Sequence, residues 1–382
     1  MLLVLFAIMV VGSLTIISVA TAVKAQQSTR HDEGFTQALP FADQNEERAQ
    51  LLLNTGQAAQ LPSTPTGLDP ATGCPTASSP TQWYAVKQSS LAWKVWSRQT
   101  VAAVARCVHA TIQQSPRFPL AAFADTAVQF RGDNAANSYN HYTGGRTADG
   151  FVGSNNSVTF NGNATADGVQ LYDWAADPNA GRCSGSICGT SSTTTVNGAL
   201  DISSNASQVF IRDALNGAAG LSCGGASLPA YVSSATSSTL PAGIQCYSSM
   251  TFDSTTTVLG TTGANCDPTA ADYNPTKVYV LGNVSIGNHL NINYTTSTPN
   301  ACNLQIYSLG SSFAIGNHSN VAGVLYVPNA DCSGNPSNAQ SDIYGSAICK
   351  SIGNQGGWSF HYDDALAGIG NGQWDRAHFG DN

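Results

Sequence analysis

The chain has 382 residues, of which 10% are charged, and its formal net charge is −8 at pH 7. This acidic balance disfavours binding to nucleic acid, which calls for a basic face, and adhesion to anionic membrane surfaces. We therefore expect no nucleic-acid partner, and a length that allows one large core or two modest ones.

The first segment, Met1–Val23, contains no charged side chain. About 20 apolar residues in a helix rise about 30 Å, which is enough to cross the hydrocarbon core of a bilayer. A secretory signal peptide would begin with basic residues and carry a shorter apolar stretch, so we expect a mature N-terminus. Apolar residues keep roughly helical spacing as far as Leu53. One long helix is therefore predicted over 1–53, with a kink at Pro40.

The next two segments are predicted to be a linker and a second helix. Residues 54–82 combine five prolines with many small polar residues, which is typical of a linker. A helix is predicted over 83–116, where valines, tryptophans and an isoleucine form an apolar stripe that ends at Pro116. Trp93 and Trp96 could stack against a ligand, but such a pair more often packs a helix onto a core.

The remaining head, 117–382, is rich in Gly, Ser, Thr and Asn and contains no Glu, which favours short strands and tight turns. Gly-Asn pairs and tyrosines recur in it, and the last steps of both series are 18 or 19 residues, the length expected of one β-solenoid rung. The region 171–276 carries five cysteines without this register, so we interpret it as a disulfide-rich insertion. The repeat positions are Gly287, Gly316, Gly334 and Gly353 with Tyr307, Tyr326, Tyr344 and Tyr362, and Val278, Val280, Val284 and Ile286 are expected inside the coil.

Two stretches resemble a known family. The apolar start and the following FTQALPFADQNEERAQLLL are similar to a type IV pilin of the PilX-like kind. GVLYVPNA with SDIYGSAICKSIGNQGGWSFHYDDAL resembles the C-terminal β-helical domain of many such proteins. Most type IV pilins carry glutamate at the fifth mature position, where this chain has Leu5. The resemblance implies an α+β fold, with a long N-terminal hydrophobic α-helix (the pilin stalk) followed by a mainly β head that contains a right-handed-type β-solenoid.

The same resemblance implies a structural role, with no enzymatic activity and no cofactor. The chain would be a subunit of an extracellular type IV pilus-like filament, in which N-terminal helices pack together and β heads face outward. Its partners would be other copies or other pilins, a prepilin peptidase and the assembly machinery. It would lie in the inner membrane before assembly and in the pilus afterwards. The filament-core residues would include Met1, Leu5, Phe6, Val10 and Leu14.

Two alternatives remain open at this point. The chain could be a minor or tip pilin that acts as an adhesin. It could also be a membrane-anchored β-helix that binds or cleaves polysaccharide. Solenoid enzymes usually present clustered carboxylates on one face, whereas Asp residues are scattered here and Glu is missing from the head. The composition therefore favours the structural role.

The chain has ten cysteines, an even number that indicates an oxidising compartment and up to five disulfides. Pairing of nearest neighbours would join Cys183 to Cys188, Cys223 to Cys246, and Cys332 to Cys349, but the sequence does not fix the connectivity. There is no C-x-x-C knuckle of the kind that a zinc site needs, so we expect no metal. The disulfide candidates are Cys74, Cys107, Cys183, Cys188, Cys223, Cys246, Cys266, Cys302, Cys332 and Cys349.

A few motifs allow both a functional and a structural interpretation. Arg131-Gly132-Asp133 spells an adhesion tripeptide, but it also lies where a rung should turn. His361, Asp363 and Asp364 could bind a metal or act as acid and base, although a polar cap at the end of the solenoid is the favoured interpretation. Asp331 and Asp342 could add calcium ligands, but no calcium-loop pattern surrounds them. Glycosylation sequons lie at Asn155, Asn163, Asn205, Asn283, Asn293 and Asn317.

Overall fold

The computed structural model divides the chain into two compact units. The sheet unit comprises Met1–Ser115 with Gly370–Asn382, and the coil unit comprises Pro116–Ile369. The structure describes residues 40, 43–54, 57–79, 82–89, 91–101, 104–114, 117–145, 147–172, 182–185, 187–188, 190, 192–196, 200, 202, 208–216, 223, 228–233, 238–259, 266–267, 270, 272–294, 299–334, 340–353, 358–369 and 375–381.

The sheet unit consists of a helix and a four-stranded antiparallel sheet. Helix α1 covers residues 43–54. Strands β1 (Trp83–Ser89), β2 (Ala92–Val101) and β3 (Val104–Gln113) follow one another as a meander, and β25 (Asp375–Asp381) pairs with β3 on the far edge. The sheet therefore takes its last strand from the C-terminal end of the chain.

One face of α1 packs on this sheet. Ala49 and Leu53, four residues apart on the helix, are buried against Ala85, Val95 and Ile112. The spacing of four places both side chains on one side of the helix. This small apolar cluster is what fixes α1 to the strands.

The second helix predicted over 83–116 is wrong, because these residues form β1, β2 and β3. The segment is rich in valine, threonine and tryptophan, which favour strands, and its apolar stripe also fits an alternating pattern. In a strand, residues three apart point to opposite faces. Trp93 packs on the α1 side, whereas Trp96 stacks on Tyr84 with ring centroids 4.9 Å apart. The tryptophans are therefore not a ligand-stacking pair.

The predicted α+β fold with a long stalk helix is also wrong for the described residues, which are mainly β. Their helices are short: α1 and α2 (Val209–Asn216), with single 3₁₀ turns at Ala58–Gln60, Ala301–Asn303 and Asp364–Gly368. In the part of the chain that the structure describes, no helix has both the length and the apolar character to cross a membrane. Residues 1–39, which include the predicted filament-core positions, lie outside the described residues.

The coil unit is built from parallel strands, as the rung period predicts. Nine of them form one continuous ladder in the order β14-β17-β20-β22-β23-β4-β6-β9-β11. The strands are β4 (Ala122–Gly132), β5 (Ala135–Tyr139), β6 (Phe151–Ser154), β7 (Ser157–Gly162), β8 (Thr165–Ala166), β9 (Gly168–Tyr172), β10 (Cys183–Ser184), β11 (Thr193–Val196), β12 (Tyr231–Val232), β13 (Ser238–Pro241), β14 (Ile244–Tyr247), β15 (Met250–Phe252), β16 (Thr256–Leu259), β17 (Thr276–Val280), β18 (Val284–Ile286), β19 (Asn291–Ile292), β20 (Leu304–Ser308), β21 (Ser312–Ile315), β22 (Asn320–Gly334), β23 (Ser341–Gly353) and β24 (Trp358–Asp363).

The ladder does not follow the order of the sequence. The first run, 122–196, begins in the middle of the coil at β4 and stacks outward to β11. The second run, 231–363, starts at the opposite end and stacks back until β23 pairs with β4 and β24 pairs with β5. We call these two pairings the seam. It joins residues more than 200 positions apart in the sequence.

The interior of the coil is apolar and continuous across the seam. Phe130 of the first run stacks on Phe160 of the next rung and meets Phe360 of the second run edge to face, with centroids 5.5 and 5.7 Å apart. The alternating positions expected inside are buried. They are Val278, Val280, Val284 and Ile286.

The region 171–276 is not an insertion, because its described strands β10 to β16 belong to the same parallel sheet. Leu240, Met250 and Phe252 are buried as rung residues. Between the runs, α2 places Phe210 against Tyr307 and Tyr326, with centroids 5.3 and 5.5 Å apart. Connections of unequal length hide the 18–19-residue period in this region.

All ten cysteines are paired, so the disulfides predicted from their even number are confirmed. The nearest-neighbour pairs are among the five. The sequence left the other two open, and the structure supplies them. The bonds are Cys74–Cys107, Cys183–Cys188, Cys223–Cys246, Cys266–Cys302 and Cys332–Cys349.

Candidate functional site

The polar residues singled out in the sequence lie at the seam. The strand that ends the second run, β24, carries His361 and Asp363, and the 3₁₀ turn that begins at Asp364 follows it. The rung packed against β24 is β5, from the start of the coil unit. A polar cap at the end of the solenoid is therefore the wrong description, because these residues lie in mid-coil where the two runs meet.

Hydroxyl groups tie the backbones of the two runs together at the seam. The Ser346 hydroxyl donates to the Leu120 carbonyl oxygen at 2.6 Å, and the Tyr362 hydroxyl donates to the Phe118 carbonyl oxygen at 2.7 Å. Both bonds are buried, so neither exchanges readily with water. Burial raises the pKa of the Tyr362 phenol well above its usual range, which keeps that donor protonated.

Asp363 is the most connected side chain at the seam. Its carboxylate is fully buried and lies 2.6 Å from Nδ1 of His141, whose own side chain is 6% exposed. Backbone N–H groups of His141, Ala301 and Ala365 also donate to it, at 3.3 to 3.4 Å. One carboxylate thus holds the loop after β5, the turn before β20 and the turn after β24.

Asp364 lies beside Asp363 in a different environment. It accepts a 2.5 Å hydrogen bond from the Thr147 hydroxyl. Burial raises the pKa of the Asp364 carboxyl, and Asp149, Asp363 and Asp167 raise it further, against the opposing effect of the Thr147 bond. The carboxyl is therefore less easily ionised here than in water.

His361 takes part in a separate ladder on the outer side of β24. Its Nδ1 is 2.7 Å from Asn137 Oδ1, and its Nε2 is 3.2 Å from Asp342 Oδ1. Its ring stacks on Tyr344 with centroids 4.4 Å apart, and Tyr294 lies against Tyr344 at 4.9 Å. His361 and Asp363 are therefore not brought together as an acid–base pair.

The arrangement is better suited to holding strands than to chemistry. His141 and Asp363 are sealed from solvent, so a substrate cannot approach them without opening the seam. Among the described residues, ligand atoms of His141, Cys266 and Asp363 lie within 4.8 Å of one another. Cys266 is bonded to Cys302, so it offers no thiolate to a metal.

Sequence reasoning missed His141, which is the main partner of Asp363. No local pattern links two residues 222 positions apart. One signal was present: His141-Tyr142 repeats the dipeptide His361-Tyr362 of the closing motif. The two dipeptides lie on neighbouring sides of the seam.

The other candidate motifs are part of the turns. Asp133 of the adhesion tripeptide accepts a 3.0 Å hydrogen bond from the Asn163 side chain of the next rung. Asp331 bonds to Ser351 at 2.7 Å, whereas Asp342 bonds to His361, so the two do not form a common calcium site.

The glycosylation sequons stay a prediction. Asn163 and Asn283 are exposed, whereas Asn155, Asn293 and Asn317 are partly buried. Asn205 lies outside the described residues.

The sheet unit carries a cavity of 460 Å³ beside the Cys74–Cys107 disulfide. Its wall includes Asp69 and Arg98, which both serve local structure. Asp69 accepts hydrogen bonds from the backbone of Ala71 and the hydroxyl of Thr72, and these bonds lower its pKa. Arg98 donates to a backbone carbonyl at 3.1 Å.

Comparison with known proteins adds little to this picture. A family model described as a domain of unknown function (DUF7305) matches residues 247–369, which run from β14 through the seam. No curated protein matches the chain. Among solved structures, the chain is similar to the competence-associated pilin ComZ from Thermus thermophilus, at 13% sequence identity. That match covers 91% of this chain and 96% of the other, with a TM-score of 0.36, which is too low to assign a shared fold.

Proposed function

We propose that this chain is a structural subunit of an extracellular type IV pilus-like filament that displays the coil unit outside the cell. The observation that carries the proposal is the sequence continuity between the uncharged segment Met1–Val23 and helix α1, which is fixed to the sheet unit. Exposing apolar surface to water costs about 25 cal/mol per Å². Neighbouring copies can bury such a segment once it has left the bilayer.

Helix α1 offers a second contact to a neighbouring copy. Its inner face is used by Ala49 and Leu53, while Leu51 on the other side is 62% exposed. Glu47 and Arg48 flank Leu51 and are also exposed. An exposed leucine with charges of both signs around it is a suitable surface for repeated contacts between identical subunits.

The disulfides support the proposed location. Five bonds in one chain are typical of proteins that mature in an oxidising compartment. We infer that the chain waits in the inner membrane and is then assembled into a surface filament. Its partners in that process are other copies or other pilins, a prepilin peptidase and an assembly machinery, as for a PilX-like protein.

The polar cluster at the seam supports a structural rather than an enzymatic role. Asp363 spends its acceptor capacity on one histidine and three backbone N–H groups. His361 is engaged on both ring nitrogens. Both faces of the Tyr344 ring contact other aromatic rings, so that ring offers no open face for stacking a sugar.

A single substitution in the full-length chain tests the proposal. Leu51→Glu keeps a good helix former at the position but places a charge on the outer face of α1. We expect surface filaments that contain this chain to become fewer and shorter, as counted by electron microscopy and mass spectrometry of sheared filaments. Val232→Glu is the matched control, because Val232 is 61% exposed on the coil unit.

The outcomes separate cleanly. Normal folding of Leu51→Glu with loss of filaments, and normal filaments for Val232→Glu, would support the proposal. Absence of the wild-type chain from every surface filament would refute it. Equal filament counts for the two variants would show that α1 is not an assembly surface.

A further inference from the structure

Two identical turns lie one above the other on the coil. Gly287–His289 joins β18 to β19, and Gly316–His318 joins β21 to β22 on the next rung. The Asn317 backbone N–H donates to Asn288 Oδ1 at 2.8 Å, and the His289 backbone N–H donates to the Asn317 carbonyl oxygen at 2.7 Å. The two Gly-Asn-His turns are therefore held in register by their own hydrogen bonds.

Both histidines have a left-handed backbone. The φ angles are 59° for His289 and 52° for His318. Among the described residues, the third non-glycine residue with a positive φ is Asn293, at 51°. The left-handed region costs an ordinary L-residue roughly 1 kcal/mol or more, and asparagine tolerates it best. Two histidines at such positions, where asparagine or glycine would fit better, indicate a use for the imidazoles.

The two imidazole rings lie side by side on the surface. Both side chains are exposed, and their ring centroids are 5.0 Å apart with an angle of 19° between the ring planes. Apart from this stacking contact, neither imidazole is hydrogen-bonded or ion-paired to a described residue. All four ring nitrogens are thus open to a ligand from solution.

We propose that His289 and His318 together bind one divalent transition-metal ion, with Cu²⁺ held most tightly. Neutral imidazole nitrogen is a preferred ligand for copper, nickel and zinc, whereas calcium and magnesium prefer oxygen. Metal–nitrogen bonds of about 2.0–2.1 Å need two nitrogens roughly 3–4 Å apart. Exposed side chains on neighbouring rungs close the remaining gap by rotation about their side-chain bonds. Solvent fills the other coordination positions.

The site differs from a single surface histidine because two ligands act on one ion. The rung spacing and the turn bonds fix the separation of the two imidazoles before the metal arrives. Preorganised ligand pairs gain affinity through effective concentration, by about 100-fold or more over one ligand alone. The inference does not depend on the proposed filament, because both histidines belong to one chain.

Asparagine variants test the site with little risk to the fold. His289→Asn and His318→Asn remove an imidazole and keep a residue that accepts the left-handed backbone. Cu²⁺ binding to the full-length protein would be measured by calorimetry, and the bound ion by electron paramagnetic resonance. His378→Asn is the matched control, since His378 lies on β25 of the sheet unit.

We expect the wild type and His378→Asn to bind one Cu²⁺ with two nitrogen ligands at this site. Each single variant should bind it about 100-fold more weakly, and the double variant should lose one equivalent of tight binding. Binding should also fall below about pH 6, where histidines take up protons. Wild-type affinity in either single variant, or equal binding by the wild type and the double variant, would overturn the proposal.

Discussion

The buried carboxylate of Asp363 gives the sharpest test of how the coil is held together. Asp363→Ala removes the acceptor that His141 and three backbone N–H groups share. The His141 side chain, 6% exposed, would then be left buried beside a cavity without its partner. Removing one member of a buried, hydrogen-bonded pair typically costs about 3–5 kcal/mol. Because folded proteins are stable by only about 5–15 kcal/mol, this is a large share of the total.

The geometry allows that magnitude to be divided. The 2.6 Å contact with His141 Nδ1 is the strong member, and hydrogen bonds to a charged group contribute about 1.5–3 kcal/mol. The three backbone contacts, at 3.3 to 3.4 Å, are longer and weaker. Asp363→Asn keeps one acceptor oxygen but loses the charge, so it should cost about 1–3 kcal/mol. The order of stability should therefore be wild type, then asparagine, then alanine.

Urea unfolding of the purified full-length chain, followed by near-ultraviolet circular dichroism, would measure these differences. We expect the midpoint for Asp363→Ala to fall by roughly 1 M or more. Asp253→Ala is the matched control, because Asp253 is an exposed aspartate on the coil unit, and its midpoint should stay close to that of the wild type. If both alanine variants unfold at the same urea concentration, the carboxylate does not fasten the seam.

Three further predictions concern charge, backbone space and covalent closure. The raised pKa of Asp364 means that its contribution to stability is present at low pH and is lost as the pH rises through the folded-state pKa. Asp364→Asn should therefore raise the melting temperature at pH 7, and this gain should vanish near pH 3; an unchanged difference across that range would contradict the sign. Gly345→Ala should cost about 3 kcal/mol or more, because φ is +136° and the added Cβ would lie 2.1 Å from a carbonyl oxygen of the neighbouring rung, whereas Gly353→Ala meets open space and should shift the urea midpoint little. Replacing Cys74 and Cys107 by serine should destabilise the sheet unit by about 4 kcal/mol, since their bond closes a span of 33 residues, and hydrogen exchange on β1 to β3 would report it.

Much of the coil could be predicted from local patterns. The spacing of Gly-Asn pairs and tyrosines indicated parallel rungs, because each rung repeats the same turns and the same alternation. The nearest-neighbour rule found Cys332–Cys349, which spans 17 residues between neighbouring rungs. Where the repeat is uneven, as in 171–276, the same reasoning failed. The rungs there are formed by Ser- and Thr-rich strands whose connections differ in length.

The sheet unit shows the opposite case. Its strands contain valines and tryptophans at spacings that fit a helix as well as an alternating pattern. Local sequence does not distinguish the two, because the choice depends on what each face packs against. Val95 is buried under α1 and Trp96 stacks on Tyr84 on the other side. Only the pairing of β1, β2, β3 and the distant β25 makes the segment a sheet.

The sequence by itself determined the charge balance, the repeat period, the even set of cysteines and the uncharged start of the chain. The tertiary structure decided that the coil is assembled from two runs that meet in its middle. It also decided that Asp363 belongs to His141 rather than to His361. The physical reason is that turn and strand preferences act over a few residues, whereas the partners at the seam are more than 200 residues apart. Contacts of that separation form only when the two runs have already folded to present matching rungs.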